Sequence, residues 1–398
     1  MDFTIDPADE AFRDEVRAFI SKALPKDISR RVLRGYHQRQ EDMRRWTAAL
    51  QEKGWSAPGW PVKYGGPGWS PLRRLIFEEE TFRAGAPALS TLGVSLVGPV
   101  IYTFGSEAQK ARYLPGILSG KEFWAQGFSE PGAGSDLASL RTRAKREGDH
   151  YIINGHKTWS SEAHWAQNIF LLARTNPDAK PQEGISFLLL PADTPGVTIT
   201  PIPDIGAGGH HSLNEMFFDQ VKVPADSLVG EEGKGWSYAK FLLDNERAFS
   251  AEVPRNRKNL ARLYRIASTE KDHGGRVIED EAFALRLAQV QADLDTLEYL
   301  TLAAIYNAEA DDKRGGLASV LKIRGTELIQ QSGELMMEAL GDHSAAFYAE
   351  PEEEAEVFAP LDYAYGVSAE FFYRRAVTIY GGSNEIQRNI LAKRVLGL

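Results

Sequence analysis

The 398-residue chain has no cysteine, which removes disulfides, thiolate zinc sites, iron–sulfur clusters and cysteine nucleophiles in one step. Positive charge is in deficit. Lys and Arg number 46 against 55 Asp and Glu, a formal net charge of −9, so the surface is a poor match for a nucleic-acid phosphate backbone. Long apolar runs are missing too: nothing approaches the ~18 uncharged residues of a spanning helix. The opening MDFTIDPADE is acidic rather than a basic, apolar export signal. A cytoplasmic protein with neither a nucleic-acid nor a membrane partner is expected. Several signatures are also absent. No GxxxxGK[ST] loop and no GxSxG elbow occurs, and SEPGAGSDL has Leu137 where a dinucleotide fingerprint needs its third glycine. His210 and His211 are adjacent, so their side chains diverge, and no HExxH accompanies them; no metal site is expected.

What is present divides into three. Up to residue 122 the pattern is helical: Asp6 can cap a helix with Pro7 in its first position, and Phe12, Val16, Phe19 and Ile20 recur at helical spacing. Between 123 and 232, short β-branched and aromatic runs such as NIFLLAR, GISFLLL and VTITPI alternate with turn residues, the pattern of a compact β domain. From 233 to 398 helical periodicity returns, with long candidates at 236–268, 281–313, 316–340, 366–379 and 386–396. The order predicts an α+β protein with segregated layers. The run EPEEEAEVF (350–358) reads as a solvated acidic loop.

Two local patterns carry chemistry. GAGS (132–135) can expose consecutive backbone N–H groups to a pyrophosphate, although such a turn is more often only a turn. In GWSYAKFLLDNERAFSAE, Ala239, Leu242, Leu243, Glu246, Phe249 and Ser250 share one helical face, which puts Glu246 inside an apolar stripe with no cation three or four residues away. Desolvation there raises a carboxylate pKa toward the range of a general base. A structural Glu paired with a distant cation is the competing reading.

SEPGAGSDLASL, NGHKTWSS, LDNER and IYGGSNEIQRNILAKRVLGL, in this order, resemble the acyl-CoA dehydrogenase family over nearly the whole length, in particular bacterial large subunits acting on pimeloyl-CoA and steroid-derived acyl-CoAs. The resemblance implies an N-terminal helical domain, a middle β-barrel domain and a C-terminal four-helix bundle, with FAD and acyl-CoA bound between them. It implies that Gln126, Phe128 and Ser129 face the isoalloxazine and that Gly134 and Ser135 meet the pyrophosphate, Ser135 also touching substrate. Trp159 matches the aromatic against the flavin, and Ser161 the hydroxyl that bonds flavin N5. Ser383 and Glu385 match contacts to the nucleotide end, and Asp244 and Arg247 a pair lining the acyl-CoA site.

Two departures stand out. Most relatives carry the catalytic base directly after the Tyr of Y-E-G-T, where this chain has Gly381 after Tyr380. A minority carry it where Glu246 stands, and Gly381 keeps a backbone N–H for the thioester oxygen. The trans contacts R-x-x-F-G and Q-x-x-G-G are altered, with Glu338 at the Gln position, where a carboxylate would repel a pyrophosphate. The expectation is FAD-dependent α,β-dehydrogenation of a bulky, cyclic, branched or dicarboxylyl acyl-CoA. A second, related subunit in an α2β2 heterotetramer is expected, or otherwise a homo-oligomer, with an electron-transferring flavoprotein as acceptor. An O2-using flavin oxidase or monooxygenase of the same fold, and a non-catalytic scaffold subunit, are the alternatives.

Overall fold

The computed structural model describes residues 6–36, 38–205, 211–244, 251–272, 274–306, 316–345 and 363–398; the acidic run 350–358 falls outside them. Asp6 caps α1 (Pro7–Ala23) as expected, its carboxylate accepting from the Ala8 N–H at 2.8 Å, and Phe12, Val16 and Ile20 are buried along one face. Helices α2 (Lys26–Arg34), α3 (Gln40–Lys53), α4 (Pro71–Ala84), α5 (Gly98–Phe104) and α6 (Glu107–Leu118) complete the first layer. A π-helix, Thr91–Val97, runs directly into α5. The wider turn is held from outside: Trp60 Nε1 donates to the Val94 carbonyl at 2.6 Å, and its ring fills the space a Cβ on Gly98 would need, 2.2 Å away.

Seven strands follow: β1 (Trp124–Gly127), β2 (Arg143–Glu147), β3 (His150–Ser161), β4 (Asn168–Arg174), β5 (Ile185–Pro191), β6 (Val197–Ile202) and β7 (Leu213–Pro224). They form one mixed sheet in the order β1-β4-β2-β3-β7-β6, with β5 paired to β4. NIFLLAR and ISFLLL are apolar at successive positions because β4 and β5 are covered on both faces. Phe170, Leu172, Phe187 and Leu189 pack on the helical layer and on Tyr238, Ala239 and Leu242. Ile169, Leu171, Leu188 and Leu190 face the other way, onto Tyr151, Ile153, Val221 and Val223.

The last layer holds α7 (Gly235–Asp244), α8 (Val253–Thr269), α9 (Glu281–Tyr306), α10 (Leu317–Leu340), α11 (Val367–Tyr373) and α12 (Asn384–Leu391). Leucines of α8, α9 and α10 share one core. The single helix expected over 236–268 is two helices. Glu252, at φ 45°, is left-handed, and Pro254 in the first turn of α8 has no N–H to continue a ladder from α7. Of the stripe on which Glu246 was placed, Ala239 and Leu242 are buried, and residues 245–250 fall outside the described set. Among the described residues no helix is long and apolar enough to cross a membrane.

A buried ion pair locks the β domain to the glycine turn. Lys157 Nζ donates to Glu130 Oε1 at 2.8 Å and to the Phe128 carbonyl at 2.9 Å, while the Glu130 carboxylate also accepts from the Arg141 and Thr142 N–H groups. Removing one partner would strand the other charge in the interior, at a cost of about 3–5 kcal/mol. Lys157→Met is therefore expected to lower the thermal midpoint sharply, and Lys157→Met with Glu130→Gln to lower it less; thermal denaturation of the two variants checks this.

Candidate active site

At the end of β3, Thr158 donates its N–H to the Ser129 carbonyl at 2.9 Å and Ser160 Oγ donates to the Gln126 carbonyl at 3.0 Å, which ties this stretch to β1 and its continuation. Between Lys157 and Ser160 the β3–β7 register slips, and within that bulge Trp159 has φ 60° and is 60% exposed. A left-handed tryptophan costs about 1–3 kcal/mol and persists only where its surroundings over-determine it. It presents an exposed indole two residues before Ser161.

The other sequence-selected residues divide into those this ridge gathers and those it does not. Gln126 and Ser129 are half-buried alongside it. Phe128 turns its side chain elsewhere. Its ring is buried edge-on against Phe170 and Phe187, and its carbonyl is taken by Lys157, so its side chain faces the core and not a ligand. Glu130 and Ala133 exchange both backbone hydrogen bonds, which closes the turn and leaves Gly132, Gly134 and Ser135 exposed. A Cβ on Gly132 or Gly134 would meet nothing within 4 Å, so a ligand can lie directly on this backbone.

Gly381 belongs to a different surface, a cavity of about 770 Å³ between the layers. Its walls are the inner face of α4, the π-helix, Lys240 and Leu242 of α7, the start of α8, α10 and the loop Tyr380–Gly382. Gly381 (φ 67°) and Gly382 (φ 86°) are left-handed and exposed. Ser383 caps α12, its Oγ accepting from the Ile386 N–H, and Glu385 is exposed in the first turn. Asp244 ends α7. Glu246 and Arg247 fall outside the described residues.

Charged groups that sequence reasoning missed frame this cavity. Lys322 Nζ donates to the Val377 carbonyl at 3.2 Å and to Asn384 Oδ1 at 3.1 Å, bracketing the Tyr380–Gly382 loop, and burial pushes its ammonium down to about 8. Arg374 donates to the Tyr380 hydroxyl at 2.9 Å. Burial pushes Glu252 up, but Arg255 and Arg374 outweigh it and hold the carboxyl below the usual range, which makes Glu252 a poor proton acceptor. Glu162, next to Ser161, is left-handed at φ 52° and meets no cation among the described residues; burial pushes its carboxyl up to about 7. Tyr373 of α11 lies alongside it. The sequence gives no signal for Glu162, because a left-handed position favours Gly or Asn.

Three family models match in succession: the acyl-CoA dehydrogenase N-terminal domain over 6–121, the middle domain over 125–221 and the C-terminal domain over 233–396. The chain belongs to the acyl-CoA dehydrogenase family. Among similar acyl-CoA dehydrogenases, IpdE1 of Mycobacterium tuberculosis (strain ATCC 25618 / H37Rv) is 37% identical, the match covering 98% of this chain and 97% of IpdE1. A chain of the ChsE4-ChsE5 complex from Mycobacterium tuberculosis is 32% identical with a TM-score of 0.82, over 100% of this chain and 99% of that one. A chain of the Tcur3481-Tcur3483 steroid acyl-CoA dehydrogenase is 33% identical with a TM-score of 0.85, again over 100% and 99%.

The Glu162 carboxyl yields a pH prediction. A raised folded pKa means that the native state keeps a proton the unfolded chain has already lost, so stability falls as pH rises from the ordinary carboxylate range through about 7. Glu162→Gln is expected to abolish that slope, gaining on the wild type above pH 7 and losing the advantage toward pH 4.5; thermal midpoints measured across this range check it.

Proposed function

We propose that this acyl-CoA dehydrogenase carries out FAD-dependent α,β-dehydrogenation of an acyl-CoA thioester to the 2-enoyl-CoA. The observation that carries the reading is the meeting of Leu242 of α7, Glu252 and Pro254 at the start of α8 and the side-chain-free Gly381–Gly382 loop on one large cavity. The β domain fits the cofactor. It offers an exposed, conformationally strained Trp159, the Ser161 hydroxyl and an open glycine turn at Gly132–Ser135, the shapes a flavin ring and a pyrophosphate require. Gln126, Ser129, Gly134 and Ser135 would hold FAD on this side and Ser383 and Glu385 at its nucleotide end, with Phe128 contributing backbone at most. When bound, FAD supplies the acceptor for the hydrogen leaving the β-carbon.

The chain's own part is to bind the thioester and move one proton. Gly381 cannot take a proton, since it has no side chain, but its N–H can meet the thioester oxygen as negative charge develops, a donor typically worth about 3–4 kcal/mol of barrier. Glu246, at the α7–α8 junction, is the base that removes the α-proton. Glu252, which lines the cavity, is a weaker candidate, because two arginines already hold it ionised. Asp244 and Arg247 flank the thioester. The space left by Gly381 and Gly382 favours bulky, cyclic, branched or dicarboxylyl chains.

A second acyl-CoA dehydrogenase-like subunit is the proposed partner, in an α2β2 assembly that passes electrons to an electron-transferring flavoprotein. Its support is the pairing of two different chains in the ChsE4-ChsE5 and Tcur3481-Tcur3483 structures. The repulsion expected from Glu338 carries less weight, because Arg286 of α9 forms a two-pronged ion pair with it and neutralises the carboxylate. Glu246→Gln is expected to retain bound FAD while slowing flavin reduction by a saturating thioester at least ~10²-fold, read by stopped-flow absorbance; an unchanged rate would reassign the base. FAD per chain, measured on the chain expressed alone, is expected to fall below one and to rise on co-expression with its partner.

A further inference from the structure

Helix α10 buries two faces of opposite character. Leu321, Leu328 and Leu335, spaced two turns apart, join the core of the last layer. Ser319, Lys322, Thr326 and Gln330 recur at i, i+3, i+7 and i+11, which sets them together on another face, and the first three are buried as well. A buried polar face is costly unless partners match it. Among the described residues its partners outside α10 all lie in one short stretch, 374–387. Gln330 Nε2 donates to the Arg374 and Arg375 carbonyls at 3.3 and 3.0 Å. Lys322 Nζ donates to the Val377 carbonyl and to Asn384 Oδ1, and the Thr326 hydroxyl lies 3.3 Å from the same oxygen. Ser319 Oγ donates to Gln387 Oε1 at 2.8 Å, and the Gln387 amide nitrogen lies so close over Gly382 that a Cβ there would be 2.7 Å from it.

Resting on the dehydrogenase reading above, we propose that this polar face positions the Gly381 N–H against the thioester oxygen, with Lys322 as its chief positioning residue. Consecutive glycines have the widest backbone freedom of any pair, and Gly381 and Gly382 are exposed, so the two cannot by themselves hold an N–H in one direction. A donor to a developing oxyanion works only when preorganised, and a misplacement of about 1 Å costs on the order of 10²-fold. The aim must come from outside the loop. Lys322 grips the chain on both sides of Gly381, through Val377 before it and Asn384 after it, and so fixes both ends of the loop to one helix. An ammonium suits this task, since its three donors can satisfy a carbonyl and an amide oxygen in different directions at once. Burial pushes it down to about 8, with Glu385 of α12 and Glu252 opposing the shift, so it carries its charge at pH 7. Methionine at this position would fill similar space but leave both oxygens without that donor.

The test binds acetoacetyl-CoA to the FAD-loaded protein at pH 7. Its α-proton is acidic enough to leave without turnover, and the ultraviolet band of the bound enolate reads stabilisation of the thioester oxygen directly. The wild type is expected to shift the bound ligand toward the enolate. Lys322→Met should lower the enolate-to-keto ratio about 10-fold per bound flavin, and kcat on a saturated acyl-CoA about 10- to 100-fold with KM little changed, short of the ~10²–10³-fold for deleting such a donor outright. Lys322→Arg, which keeps the charge and its donors, should recover part of both. Gln330→Met, at the half-buried end of the face, should move both in the same direction by less, and it keeps the test decisive if Lys322→Met does not fold. A merely structural role would lower the melting temperature and FAD content yet leave the enolate ratio of the loaded variants unchanged, and that result overturns the proposal. So does a raised KM at unchanged kcat, which would make Lys322 a ligand contact. A wild type that enolises acetoacetyl-CoA but reduces its flavin with no saturated acyl-CoA removes the dehydrogenase reading alone, since the enolate comparison still decides the positioning.

Discussion

The buried contact between Lys157 and Glu130 is the constraint from which the cofactor side of the site follows. Glu130 begins the glycine turn and Lys157 stands two residues before Trp159, so one ion pair fixes both the open backbone and the aromatic wall relative to the sheet. Both groups are satisfied. The carboxylate has two backbone N–H donors besides the ammonium, and the ammonium has the Phe128 carbonyl. Such a pair brings little net stability over an apolar substitute, but it specifies geometry, because a slip of either strand would leave a charge unpaired in the interior. The strain in Trp159 is tolerable because this anchor sits just before it.

The substrate side is made differently. No single layer supplies it: α4 and the π-helix come from the first segment, Lys240 and Leu242 from α7, and Lys322, Arg374 and the Tyr380–Gly382 loop from the last segment. Lys322 and Arg374 act as struts, tying the glycine loop to α10 and to the ionic group around Glu252, Arg255 and Glu370. The glycines can then keep left-handed φ values in an exposed loop without losing their position. A cavity framed by cations inside a chain of net negative charge concentrates anions where the thioester must bind.

Much of this was legible from the residues alone. The cap at Asp6, the doubly buried strands β4 and β5, the helical third segment and the family motifs are local patterns, and local patterns survive without knowledge of the neighbours. What the fold adds is of another kind. The run 236–268 has one period throughout, yet Pro254 and a left-handed Glu252 divide it. Phe128 sits in a cofactor motif, but alternation along β1 and its continuation sends the ring into the core. Glu338 looked like a bare charge beside a phosphate until α9 brought Arg286 across to it.

The sequence by itself determined the order of layers, the missing side chain at Gly381, the glycine turn and the absence of any thiol chemistry, because each is a matter of residue type or spacing within a single segment. Tertiary structure alone decided which charges meet. The pairing of Lys157 with Glu130 spans 27 residues, that of Lys322 with Asn384 spans 62, and Arg286 reaches Glu338 across 52. Arg74 faces the same cavity as a loop three hundred residues later. Sequence separation carries no information about such contacts, since they are set by how helices and strands pack, and it is through them that an aromatic residue, a hydroxyl and a pair of glycines become one site.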